Sequence, residues 1–204
     1  MPWCPEPREQ AVMSEVSVAN RRHWFPKRYA DIVAKLRVPA GFVMVAAFAW
    51  FSRPDLNSLV AGIALSACGL GLRAWAAGHL SKNQRLAVSG PYSYTRNPLY
   101  LGTLITALGL AAAARSPGLA ILFAVLFALV YLPAIELEEQ HLAAILPGYA
   151  DFANRVPLLI PRWPAHFGPD HFSAALYRKN REYEALAGWL AGVVWLIAKA
   201  IWRA

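Results

Sequence analysis

GPYSYTRNPLYLG, residues 90–102, sets a tight turn, three tyrosines, an arginine and an asparagine directly before an apolar segment. Asn97-Pro98 reads as a helix start, because Asn is a favoured N-cap and Pro is tolerated at the first helical position. If Pro98 opens the helix, its free backbone N–H groups and positive dipole end point back into the loop. Such an end suits a carboxylate or phosphate, and Arg96 adds a full positive charge beside it. Tyr92, Tyr94 and Tyr100 supply ring faces able to stack on a base or to sit against a cation. Tyrosine and arginine are also common at membrane boundaries, so residue chemistry alone supports an interfacial anchor and a ligand site equally.

Working outward, the segment is embedded in a chain too apolar for an ordinary soluble domain. Of its 204 residues 57% are hydrophobic and 16% charged, with a mean hydropathy of +0.35. The length is that of one domain, and the apolar residues come in blocks: 38–51, 56–80, 99–114, 119–133 and 185–202. A crossing takes about 20 residues, so several blocks are near the minimum. The expected fold is all-α and polytopic, with about five transmembrane helices. Ser116-Pro117-Gly118 is a tight connection that makes the third and fourth blocks an antiparallel hairpin. Residues 1–20 lack a long apolar run, carry Glu6, Glu9 and Glu15, and read as a flexible tail, with 21–204 as the membrane domain. Arg21–Arg37 mixes six Arg/Lys residues with Trp24, Phe25 and Tyr29, the composition of an interfacial helix before the first span.

The net charge of +8 suits the anionic cytoplasmic membrane face. No zinc finger, RNP-like motif or basic run with interleaved aromatics supports nucleic-acid binding. Cys4 and Cys68 suggest neither a disulfide nor a metal site. Charge also sets the expected orientation. Six Arg/Lys residues precede the first block, and Lys82, Arg85 and Arg96 follow the second, whereas the intervening connections hold only Arg53 and Arg115. The N-terminus, Ser81–Asn97 and Glu136–Glu184 are therefore expected together on the cytosolic side.

A second constellation, IELEEQH at 135–141, places three carboxylates directly after the fourth block. Acids there are costly unless solvated or paired. Glu136 and Glu139 are expected to share a helix face, with Glu138 pointing elsewhere. Opposite an arginine-bearing loop, they suggest a cleft for a zwitterion or cation. His79 and Asn83 lead into the motif and are candidate ligand contacts, His79 being alternatively a hydrogen-bonded structural residue. Arg73 either snorkels to the interface or joins the site. HFGPDH, 166–171, lacks the residues to complete a metal set and reads as a solvated turn. Tyr177–Glu184 either starts the last helix or folds over the pocket, with Arg178 or Arg181 then facing an anionic head group.

GPYSYTRNPLYLG, the hairpin, ELEEQHL and RVPLLIPR together resemble the isoprenylcysteine carboxyl methyltransferase and phospholipid N-methyltransferase family. The resemblance covers roughly 72–161. It implies an integral membrane enzyme using S-adenosylmethionine, which carries a sulfonium, an ammonium and a carboxylate. The family's Arg-His-Pro-x-Tyr-x-Gly motif falls on Arg96, Pro98, Tyr100 and Gly102, with Asn97 in place of the histidine. Its Glu-Glu pair falls on Glu138 and Glu139, and Ile145-Leu146 stands where the family has Phe-Gly. Carried over, Arg96, Asn97 and Glu139 are the candidate catalytic residues. Arg96 and the helix end would take the cofactor's carboxylate and Glu138 or Glu139 its ammonium, with Tyr92 or Tyr100 against sulfonium or adenine. Pro98, Gly102, His79 and Asn83 complete the candidate cofactor pocket, and no metal is required. The acceptor would be a lipid or lipidated small molecule, amine or carboxylate, reached from the bilayer. Two other readings stand beside this one: a sterol-reductase-like enzyme using NADPH, and a non-enzymatic membrane scaffold.

Overall fold

The computed structural model describes residues 25–163 and 168–202; the expected tail, Arg21–Trp24, Cys4 and His166 lie outside them. The described residues form helices and no strand: α1 (Lys27–Phe51), α2 (Leu56–Ala77), α3 (Pro98–Ala113), α4 (Pro117–Leu126), α5 (Leu132–Ile145), α6 (Tyr149–Arg155), α7 (Ala174–Lys179) and α8 (Tyr183–Ile201). A π-helical turn, Phe127–Tyr131, fuses α4 and α5 into one rod.

Among the described residues three helices are long and apolar enough to cross a membrane: Leu56–Ala77, Pro117–Ile145 and Tyr183–Ile201. At 1.5 Å per residue the first is about 33 Å long and matches a bilayer core of about 30 Å. The other two expected spans, Val38–Phe51 and Pro98–Ala113, are apolar but shorter. The interfacial segment is not a separate helix. Its residues from Lys27 onward form the first turns of α1, which runs unbroken through Pro39 into the apolar block.

The helix of the fourth block runs on past Pro133, where the apolar run ends, to Ile145. Proline removes one backbone donor and crowds the preceding turn, which ordinarily kinks a helix. Here the π turn lies immediately before it and absorbs the disturbance. The carbonyl of Leu129, which residue 133 would normally bond, instead accepts the Tyr29 hydroxyl of α1 at 2.8 Å. The rod is some 43 Å long and holds Glu136, Glu138 and Glu139 roughly 29–33 Å from Pro117, about the thickness of the hydrocarbon core.

The tightest packing joins α2 to α3 through small residues. A side chain on Gly62 would strike Ala113, one on Gly69 would strike Thr106, and one on Gly109 would strike Ser66. Association in lipid relies on such close approach, because apolar burial adds little between helices already in hydrocarbon. At one end of the bundle, Asp55 and Ser58 form a capping box at the start of α2, and Arg115 pairs with Asp55. Lys199 of α8 donates to the Ala49 and Trp50 carbonyls at 2.6 and 2.9 Å, closing the end of α1. At the other end, the 90–97 loop, the carboxylate end of α5 and residues 157–163 and 168–182 come together. Of the segments expected on one face, the described parts of Ser81–Asn97 and Glu136–Glu184 share it, and Phe25 reaches Glu136 there, while residues 1–24 of the N-terminus lie outside the described residues.

Candidate active site

The motif loop is built by local chemistry and then pinned by a distant segment. Gly90 has φ +59°, and its Cα lies so close to His79 Nε2 that a Cβ would come within 2.6 Å. Glycine is therefore required twice, by conformation and by space. A 3₁₀ turn, Gly90–Ser93, follows, with Pro91, Tyr92 and Ser93 buried. Arg96 N–H then donates to Pro157 O at 2.9 Å and Arg162 N–H to Tyr94 O at 3.0 Å. Thr95 Oγ1 donates to Leu158 O at 3.0 Å. These bonds align 94–97 against 157–162, so RVPLLIPR is the backing of the motif loop.

Three of the expected site residues meet directly. Arg96 Nε stands 3.3 Å from Glu139 Oε1, with 14% and 18% of the two side chains exposed. The pair lacks hydrogen-bond alignment, and Nε is buried without a hydrogen-bond partner among the described residues. Asn97 occupies the N-cap position of α3 and Pro98 is its first residue, yet the Asn97 side chain does not cap the helix. Its amide donates to Glu139 Oε1 at 3.2 Å and to Leu158 O at 3.3 Å. Those two bonds orient the amide through Nδ2, and its Oδ1 makes no cap on α3.

Glu138 does not point away from its neighbours, as one-turn geometry suggested. Its flexible side chain reaches the motif, where Tyr100 Oη donates to Oε2 at 2.9 Å. Glu136 turns to α1 and accepts Phe25 N–H at 3.2 Å. Tyr92 lies buried near Glu138, Glu182 and Arg73; burial first, and then the two carboxylates, push its phenol well above the ordinary value.

Other expected residues are placed differently. His79 is buried and its Nδ1–H donates to Trp75 O at 2.9 Å, with Phe172 and Trp75 edge-on to its ring. It supports Gly90 from behind. Asn83 is exposed, at φ +55°, in the turn after α2, and does not join the Arg96–Glu139 group. Gly102 gives passage to a side chain: the stem of Arg73 crosses it within 2.6 Å of where a Cβ would be.

Arg73 neither snorkels to solvent nor meets Glu138. It pairs with Glu182, donating through Nε to Oε2 at 3.1 Å, and it also bonds Thr103. Sequence reading passed over Glu182, Thr103 and Asn180. Asn180 Nδ2 donates to the Ala77 and Leu80 carbonyls, both at 2.9 Å, and so closes the end of α2. The sequence signal was YRKNREYE itself, which here ends α7 and starts α8 while Asn180 and Glu182 reach back to α2. Asp170 of the expected solvated loop accepts from Ser89 Oγ at 3.1 Å and pairs with Arg85 at 3.1 Å. His171 is exposed.

The assembled group offers a guanidinium with a buried Nε and a helix start that its Asn97 side chain does not cap on one side, and two carboxylates with Tyr100 on the other. Residues 58–148 match the family model for phospholipid methyltransferase. The chain is 32% identical over 154 residues to the cobalt-zinc-cadmium resistance protein CzcN of Cupriavidus metallidurans, covering 74% of this chain and 67% of that one. It is 31% identical over 158 residues to the nickel-cobalt-cadmium resistance protein NccN of Alcaligenes xylosoxydans xylosoxydans, covering 74% and 68%. No solved structure matches. The matched segment holds the motif loop, the hairpin and both carboxylates, and on these grounds the chain belongs to the phospholipid methyltransferase family.

Proposed function

We propose that the chain is an S-adenosylmethionine-dependent methyltransferase acting on an acceptor that resides in the bilayer, with its pocket open to the cytosol. The observation that carries this reading is the state of Arg96. A buried guanidinium nitrogen without a hydrogen bond, beside a helix N-terminus that its own Asn97 leaves uncapped, fits an incoming carboxylate. Glu138 and Glu139 fit the other charge of a zwitterion. Glu139 is committed to Arg96 and Asn97, so Glu138 is the better partner for an ammonium. Tyr100, hydrogen-bonded to Glu138, offers its ring face to a cation.

When bound, S-adenosylmethionine supplies an electrophilic methyl group on its sulfonium. The residues around it supply alignment and exclude water. Holding two reactants in line contributes on the order of 7 kcal/mol or more where the fit is good. Incubation of purified protein and a lipid extract with methyl-labelled cofactor tests the reading. Label entering the lipid fraction, and lost in Glu138→Gln, supports it; no transfer to any lipid fraction contradicts it.

The two relatives are named for metal resistance. Among the described residues no group of three His, Cys, Asp or Glu side chains is placed to hold a metal ion. If this chain shares that biology, methylation of a membrane component is its part. Cells relying on Glu139→Gln protein are then as metal-sensitive as cells lacking the chain.

A further inference from the structure

We propose that one apolar chain of the methyl acceptor is held in a cavity between α1, α3, α4 and α8, and that Tyr131 is where this cavity meets the polar pocket. This rests on the methyltransferase reading. The cavity is about 580 Å³, within the ordinary range of ligand pockets. Met44 and Phe48 of α1, Phe123 of α4 and Trp195 of α8 wall it. What opens the space is missing side chains: a Cβ on Gly41 or on Gly188 would meet no atom within 4 Å. A void of this size with apolar walls does not hold ordered water, so its fitting occupant is apolar.

Tyr131 connects the cavity to the chemistry. It closes the π turn, lines the cavity and stacks on Phe127 with centroids 5.6 Å apart. Its edge meets Tyr100 at 6.3 Å, and Tyr100 Oη donates to Glu138. The cavity therefore abuts the candidate site, with the Tyr131 and Tyr100 rings between them. Val45 and Trp195 on its rim are 66% and 39% exposed, which leaves a sideways opening toward lipid between α1 and α8. Both helices fall outside the residues 58–148 that match the family model. Acceptor choice is thereby assigned to the flanks, and the cofactor pocket to the matched core.

The test uses the full chain in lipid nanodiscs with palmitoyl-lysophosphatidylethanolamine carrying a diazirine at the chain end. Mass spectrometry locates the cross-links, and calorimetry measures S-adenosylmethionine binding in parallel. The expected result is labelling concentrated on cavity residues, reduced roughly tenfold or more in Gly41→Leu and in Gly188→Leu. Cofactor binding stays unchanged in both. Gly71→Leu is the control, because Gly71 also has open space around it but lies on α2, away from the cavity; it should change neither readout. Labelling spread over all lipid-facing helices and indifferent to the leucines overturns the proposal. So does a dimer whose α1 and α8 faces cross-link to a second copy of the chain. A wild-type cavity that takes the probe in a protein that binds no cofactor overturns the methyltransferase reading alone.

Discussion

Arg96 is gripped through its backbone by Pro157 and through its side chain by Glu139, yet one nitrogen remains without a hydrogen bond. Removing the charge of Glu139 while keeping its shape leaves that cation uncompensated. A fully buried pair broken in this way costs about 3–5 kcal/mol. Both side chains here keep some exposure, so Glu139→Gln should cost about 2–3 kcal/mol, read as a lowered denaturation midpoint in detergent. Tyr92 gives a pH prediction. Its folded-state pKa is raised above the unfolded value near 10, so its contribution is complete below about pH 10 and is lost as pH rises further. Tyr92→Phe should run parallel to wild type from neutral pH to about 9 and lose less stability above pH 10. Arg96, Pro98 and Tyr100 were legible because their signals are local. Glu139 was placed opposite the loop by its charge and by the resemblance, but its bond to Asn97, 42 residues away, and that of Leu158, 61 away, were not legible, because no local rule supplies such contacts.

Helices are where local pattern and tertiary override divide. The α3–α4 hairpin follows directly from Ser116-Pro117-Gly118, and Ser116 does cap α4 through Leu119 N–H. Pro133 ends the apolar run but not the helix, because the π turn before it and the Tyr29 hydroxyl make up for the missing donor. Glu182 was illegible because Arg73, its partner, is 109 residues away. This pair, 23% and 9% exposed, ties the start of α8 to α2 and to Thr103 of α3. Glu182→Ala should therefore lower stability by about 3–5 kcal/mol. The double replacement Arg73→Met with Glu182→Leu should recover much of that loss, since removing both charges leaves no unpaired ion. Thermal unfolding of the two variants in the same detergent checks both statements. If α8 is docked by packing alone, the single and double variants will melt alike.

At the scale of the molecule, the polar segments gather at one end of the bundle and Asp55 with Arg115 marks the other. Positive charge predicts that the first end faces the cytosol, and single cysteines placed in a cysteine-free background test it. Asn83→Cys, exposed near the pocket, should react with a membrane-impermeant maleimide only after permeabilisation. Arg115→Cys, exposed at the far end, should react from outside intact cells. The gathering was legible from charge because loops of like sign share a side. The short length of α3 was legible too, as the block 99–114, whereas hydropathy blocks do not reveal that α1 begins in the basic segment. The proposed function requires this end of the bundle to bind S-adenosylmethionine through Arg96 and the start of α3. Isothermal titration of the purified full chain with that cofactor measures this binding. Saturable binding at one site is expected in wild-type protein, abolished in Arg96→Ala protein that remains folded. A wild-type titration with no heat of binding, or equal binding by Arg96→Ala, would contradict it.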